Sequence, residues 1–133
     1  MIHLDIYESR DEWLSNRSDR IGGSDAACIL GKNPWRSNVQ LYREKTGIVP
    51  HESMDTENNR AINYGIAAEP LLRELFALDH PEAHICYAEN NMWTNDEYPF
   101  AHASLDGWIE NEEDESVCGI LEIKTATIQS RKQ

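Results

Sequence analysis

The chain has 133 residues and only three cysteines. Cys28, Cys86 and Cys118 are odd in number, far apart and in no Cys-x-x-Cys pattern. Their spacing argues against a disulfide framework and against a zinc site, and it suits the reducing cytoplasm. No apolar run approaches the length needed to span a membrane. The N-terminus has no basic region followed by an apolar stretch, so no secretory signal is expected. Internal repeats, low-complexity tracts and a second domain are also missing. The expectation is a single domain over residues 1–133, with a core burying roughly two thirds of its unfolded surface.

Positive charge is scarce as well. Twelve Lys and Arg face twenty-four Asp and Glu, a net charge of −12. The distribution matters more than the sum. Residues 10–45 carry seven basic residues against five acidic ones, a net +2, which leaves −14 for the remainder. A phosphate-bearing ligand would therefore meet least repulsion in the N-terminal third. Five acids crowd between Glu110 and Glu115, the pattern of a solvated hairpin loop.

Local signals place the elements. Ser9 can cap a helix from Arg10 to about Arg17, with Trp13 and Leu14 on its buried side. Gly22-Gly23-Ser24-Asp25 is a turn entering a short helix, Ala26–Leu30, which Gly31 ends. That turn is either an anion site built from free N–H groups or a plain turn with Ser24 as cap. Ser37 to Thr46 reads as a helix with Val39, Leu41 and Tyr42 apolar, and residues 50–58 as a loop. Asn59 to Asp79 is a longer helix with an apolar stripe of Ile62, Ile66, Leu72, Leu75 and Phe76. Glu69 lies along that stripe, where a carboxylate needs a partner or a metal. Pro70 should kink or restart the helix. Residues 83–93 read as one strand.

Ala101 to Thr125 holds the candidate chemistry: two strand-like segments joined by the acidic loop. Side chains alternate faces in a strand. His102, Ser104 and Asp106 then share one face, and Ile120, Glu122 and Lys124 share another. If the strands pair, one sheet face presents Asp106, Glu122 and Lys124 together. Two carboxylates holding a hard cation beside an ammonium can activate water against a phosphodiester. Taken alone, a Glu-x-Lys pair is more often a solvated face, and Asp-Gly a turn.

The order of these parts resembles the PD-(D/E)XK nuclease superfamily, and more narrowly the YqaJ-type viral recombinase family, to which phage lambda exonuclease is related. Five blocks carry the resemblance: Trp13-x-x-x-Arg17 followed by Ile21 to Ala27; Leu41-Tyr42-x-x-Lys45-Thr46-Gly47; Gly65-x-x-x-Glu69-Pro70; Ser104-Leu105-Asp106-Gly107; and Leu121-Glu122-Ile123-Lys124-Thr125. It implies an α/β fold with a PD-(D/E)XK restriction-endonuclease-like core, a mixed sheet flanked by helices. It implies that Asp106, Glu122 and the Ile123 carbonyl bind Mg²⁺ or Mn²⁺, and that Glu69 completes the site or orients the attacking water. Lys124 would position that water and stabilise charge on the phosphate. Arg17, Ser24 and Ser104 match residues that hold a 5′-phosphate.

The family usually continues through a further helix and strand, whereas this chain stops at Gln133, so the resemblance implies a fold truncated at its C-terminus. Arg131 is the nearest match to a phosphate-binding arginine of that tail, one residue out of register.

The function implied is a metal-dependent DNA exonuclease of phage-type recombination, 5′-to-3′ on linear duplex DNA in a host cytoplasm. Duplex DNA ends are its implied partner, and a single-strand annealing protein or a homo-oligomer is compatible with it. The alternative is a truncated, inactive module that binds a protein partner or mimics DNA. An endonuclease of the same superfamily is a third reading.

Overall fold

The computed structural model describes residues 1–50 and 59–126. The loop expected at 50–58 and Arg131 lie almost wholly outside them. The chain divides into two compact units, residues 1–52 with 88–105 and residues 53–87 with 106–133.

The first unit contains strand β1 (Ile2–Ile6), helices α1 (Arg10–Ser18), α2 (Ala26–Ile29) and α3 (Asn38–Lys45), and strand β3 (Asn91–Asn95). The helix starts follow from local chemistry. Ser9 Oγ accepts from Glu12 N at 3.2 Å, and Ser37 Oγ from Gln40 N at 3.1 Å. Gly31, at φ 65°, ends α2, and Gly47, at φ 72°, follows α3. Strand β1 was not expected, although Ile2, Leu4 and Ile6 alternate with His3 and Asp5. It pairs antiparallel with β3, Ile2 opposite Asn95 and Ile6 opposite Asn91. Trp13, Cys28, Leu41 and Met92 form the buried apolar core of this unit. Leu14, expected beside Trp13, is exposed, as are the apolar Val39 and Tyr42 of α3.

The second unit contains helix α4 (Arg60–Asp79) and strands β2 (His84–Cys86), β4 (Gly107–Glu110) and β5 (Val117–Leu121). The strands form one antiparallel sheet in the order β2-β4-β5. The acidic loop between β4 and β5 is exposed, as its charge requires. Helix α4 is capped by Asn59, whose Oδ1 accepts from Ala61 N and Ile62 N, and it continues as one helix through Pro70.

Three expectations are corrected here. The sheet is not a single mixed one: two antiparallel sheets form, β1-β3 and β2-β4-β5, with an isolated parallel bridge from Ile21 to Ala101. The strand expected at 83–93 is broken, because Asn90 adopts φ 56°, a left-handed conformation that asparagine tolerates better than most residues. β2 and β3 therefore join different sheets. The apolar stripe of α4 is also displaced. Its partly covered positions are Ile62, Gly65, Ala68, Glu69, Arg73 and Phe76, while Ile66, Leu72 and Leu75 are exposed.

Candidate functional site

Asp106, Glu122 and Lys124 do come to one place, but not on a strand face. The last pair of the β4–β5 ladder is Gly107 opposite Leu121. Asp106 precedes β4 and Glu122–Lys124 follow β5, so all of them sit just beyond the same open end of the hairpin. Asp106 Oδ2 closes that end by accepting a hydrogen bond from Ile123 N at 2.7 Å. Ser104 and Asp106 do not share a strand, since β4 begins only at Gly107.

Helix α4 brings Glu69 to this group. Residues four apart on a helix lie above one another, so Gly65, Glu69 and Arg73 line one face. A Cβ on Gly65 would lie 3.2 Å from Thr125 Oγ1, which is why glycine suits the close approach of α4 to the segment after β5. One turn on, Glu69 Oε1 accepts from Arg73 Nη2 at 2.7 Å. Arg73 Nε donates to the Asp106 carbonyl at 2.6 Å, and its guanidinium stacks on Tyr87, 3.5 Å from the ring centroid. Arg73 is thus the bracket between α4 and the start of β4. Its spacing from Glu69, one helical turn, was the sequence signal for it.

Electrostatics tie the group together. Burial raises the Glu69 carboxyl above its ordinary range, and the negative charges of Asp106 and Glu122 raise it further, against the opposing pull of Arg73. The hydrogen bond to Glu122 raises the Lys124 ammonium, helped by Asp106 and Glu69. The three carboxylates do not close into one ligand cluster: among the described residues, only His84, Cys86 and Glu110 bring three ligand atoms within 4.8 Å of one another. Arg73 and Lys124 hold Glu69 and Glu122 as ion pairs. The donors are all oxygen, a set that fits a hard divalent cation rather than a thiophilic one.

The three residues matched to phosphate binding lie in the first unit. Arg17 Nη2 reaches Ser24 Oγ at 3.5 Å, and its guanidinium lies 4.9 Å from the Trp13 ring centroid. Ser104 is exposed and is not hydrogen-bonded to either.

The turn carrying Ser24 is held by a buried ionic network that the sequence did not disclose. Asp25 occupies the N-cap position of α2, but its side chain makes no capping bond there. Its Oδ2 reaches back to Gly22 N at 3.0 Å, while Arg36 Nη1 lies at 3.2 Å and Lys45 Nζ at 3.4 Å. Burial alone would raise the Asp25 carboxyl, but the Gly22 hydrogen bond with Lys45 and Arg36 holds it below its ordinary value. Arg36 also pairs with Glu44.

Buried His102 packs against the same turn: a Cβ on Gly22 would lie 2.8 Å from its Cε1 and 3.0 Å from its Nε2. Gly22→Ala should therefore destabilise the chain by about 1–3 kcal/mol through overpacking. Gly23, with no atom within 4 Å of its Cβ position, should tolerate alanine far better. Urea denaturation of both variants checks the contrast.

Burial, then the nearby Arg17 and Lys45 charges, push the His102 imidazole below its ordinary value, with Asp25 opposing. The unfolded chain then binds a proton that the folded chain resists. Stability should be full above the unfolded value of about 6.5 and should fall as pH drops below it. His102→Gln should flatten that slope in denaturation midpoints measured between about pH 7 and about pH 5.

A mixed α/β chain with carboxylates and a lysine gathered at the open end of a hairpin is consistent with a nuclease-like fold. Residues 12–133 match the YqaJ-like viral recombinase domain, and the chain belongs to that family. It is 34% identical over 125 residues to "Uncharacterized protein YqaJ" of Bacillus subtilis (strain 168). The match covers 94% of this chain but 36% of that relative, so the chain spans about a third of its length. No solved structure matches. Among the described residues, no helix is long and apolar enough to cross a membrane.

Proposed function

We propose that this chain carries the catalytic group of a metal-dependent DNA exonuclease that acts on linear duplex ends, 5′-to-3′, in phage-type recombination. The observation that carries the reading is the convergence of Glu69, Asp106 and Glu122 with Lys124 at the end of the β4–β5 hairpin. Asp106, Glu122 and the Ile123 carbonyl would hold Mg²⁺ or Mn²⁺, with Glu69 completing the donor set. When bound, the ion supplies Lewis acidity toward the phosphoryl oxygen and makes water a stronger nucleophile. Glu69, with its raised carboxyl, orients the attacking water. Lys124, paired with Glu122 in the chain alone, would turn its ammonium toward the phosphate, where negative charge develops. Arg73 keeps Glu69 and the Asp106 backbone in place.

Arg17, Ser24 and Ser104 would receive the terminal 5′-phosphate. Their support is the Arg17–Ser24 contact and the net-positive N-terminal third. A charge-assisted contact from Arg17 is worth about 1.5–3 kcal/mol, enough for roughly a tenfold preference. The test compares linear duplexes with 5′-phosphate and 5′-hydroxyl ends, and a closed circle, in Mn²⁺. Wild type should prefer the phosphorylated end and spare the circle, and Arg17→Ala should lose the preference. Equal rates on both linear ends would remove Arg17 from the reading, and cutting of the circle would replace exonuclease by endonuclease.

One observation favours a second reading. Glu69 and Glu122 are already neutralised by Arg73 and Lys124, as they would be in a module that has kept the fold without catalysis. Such a module would offer its acidic surface to a basic protein or mimic DNA, and would cut no substrate in any metal.

A further inference from the structure

The second unit contains another cluster of metal-ligating side chains whose donor chemistry differs from that of the carboxylate group. In the β2–β4 ladder His84 lies opposite Glu110, and Cys86 lies opposite Trp108. His84 and Cys86 are two residues apart on one strand, so both project from the same sheet face as the Glu110 side chain. One ligand atom from each of His84, Cys86 and Glu110 lies within 4.8 Å of the others. Trp108 Nε1 donates to Glu110 Oε1 at 2.7 Å, fixing one carboxylate oxygen and leaving the other to bind. Partners of this kind orient metal ligands.

We propose that His84, Cys86 and Glu110 form a metal site selective for a thiophilic divalent cation, with Zn²⁺ the expected ion. Nitrogen, sulfur and oxygen donors in this combination suit zinc and disfavour Mg²⁺. Zinc bond lengths of about 2.0–2.3 Å require the donors to close up by roughly 1 Å, a change that side-chain rotation supplies. Charge closes as well: one thiolate and one carboxylate balance a divalent ion, and the imidazole binds neutral. Three protein ligands leave the fourth position open to water. The ion would tie β2, a three-residue strand, to β4 through side chains as well as backbone.

The step exchanges a proton for the metal. Burial pushes the Cys86 thiol up to about 11, and its hydrogen bond to Glu110 raises it too, so without an ion the sulfur is protonated. Zinc binding forms the Zn–S bond, breaks S–H and releases that proton to solvent. Cysteine spacing alone argued against zinc. The site escapes that argument because it uses one cysteine, with a histidine from the same strand and a glutamate from the next.

Cobalt(II) titration of the whole chain tests the proposal. Wild type should bind one ion with a thiolate-to-cobalt charge-transfer band, displaced by Zn²⁺. Cys86→Ser should abolish the band, and His84→Gln should weaken binding by more than the roughly 10–100-fold that loss of an orienting partner costs. Cys118→Ser and Asp106→Asn should leave the band unchanged, the latter separating this site from the proposed nuclease centre. Zinc at about ten times its dissociation constant should also slow alkylation of Cys86 about tenfold, leaving exposed Cys118 unprotected. That measurement decides the matter if Cys86→Ser fails to fold. No charge-transfer band, a band that survives Cys86→Ser in a folded variant, or a Cys86 that zinc does not protect would overturn the proposal.

Discussion

Lys124→Ala should reduce metal-dependent hydrolysis of linear duplex DNA by about 100–1000-fold, the usual cost of removing a group that stabilises charge developing on the reacting centre. The fold should be untouched. The Lys124 side chain is 79% exposed and pairs with Glu122, itself half exposed. Nothing buried depends on it, so the thermal midpoint should move little. Lys124→Arg preserves charge but spreads it over a planar fork, and should recover only part of the rate. Single-turnover cleavage of an end-labelled duplex separates the outcomes. If Lys124→Ala cuts as fast as wild type, the lysine is only the counter-charge of Glu122.

Asp106→Asn should abolish stabilisation by Mg²⁺ or Mn²⁺. At a metal concentration about 100-fold above the dissociation constant, a bound ion adds ~2.7 kcal/mol, which raises the melting temperature of a chain this size by roughly 5–10 °C. The asparagine carbonyl can still accept from Ile123 N, so the hairpin end remains closed while the charge that attracts the ion is gone. Asp106→Ala differs. It strands the Ile123 N–H as well, costing about 1–3 kcal/mol even without metal. Melting curves with and without Mn²⁺ resolve the two roles. An equal metal response from Asp106→Asn and wild type would remove Asp106 from the ligand set.

The helices were legible because their signals are local. Ser9, Ser37 and Asn59 are caps whose side chains bond within three residues, and Gly31 and Gly47 are stops that any fold would read alike. The acidic loop marked the hairpin, but the alternation misplaced its strands: residues 101–106 precede β4, and 122–124 follow β5. What failed was decided by distant partners. Whether 83–93 is one strand or two depends on β2 choosing β4 and β3 choosing β1, a choice that Asn90 permits but does not dictate. Asp106 and Glu122–Lys124 lie near one another, but not for the reason expected. The expected strand face is replaced by the irregular ends of two paired strands, stitched by the Asp106–Ile123 hydrogen bond. Arg73 and the Asp25 network stayed hidden because a salt bridge's value depends on burial, and sequence spacing does not report burial. The same holds for Cys86, whose partners come together only in the β2–β4 register.

The central claim is that Glu69, Asp106, Glu122 and Lys124 form a hydrolytic centre that works only with a hard divalent cation. Its most direct test is cleavage of a linear duplex by the wild-type chain in Mn²⁺ and in EDTA, with Glu122→Gln assayed in parallel. The account predicts cutting in Mn²⁺, none in EDTA, and none by Glu122→Gln in either. Wild type that leaves the duplex intact in Mn²⁺, or Glu122→Gln that cuts it as well as wild type, would contradict it.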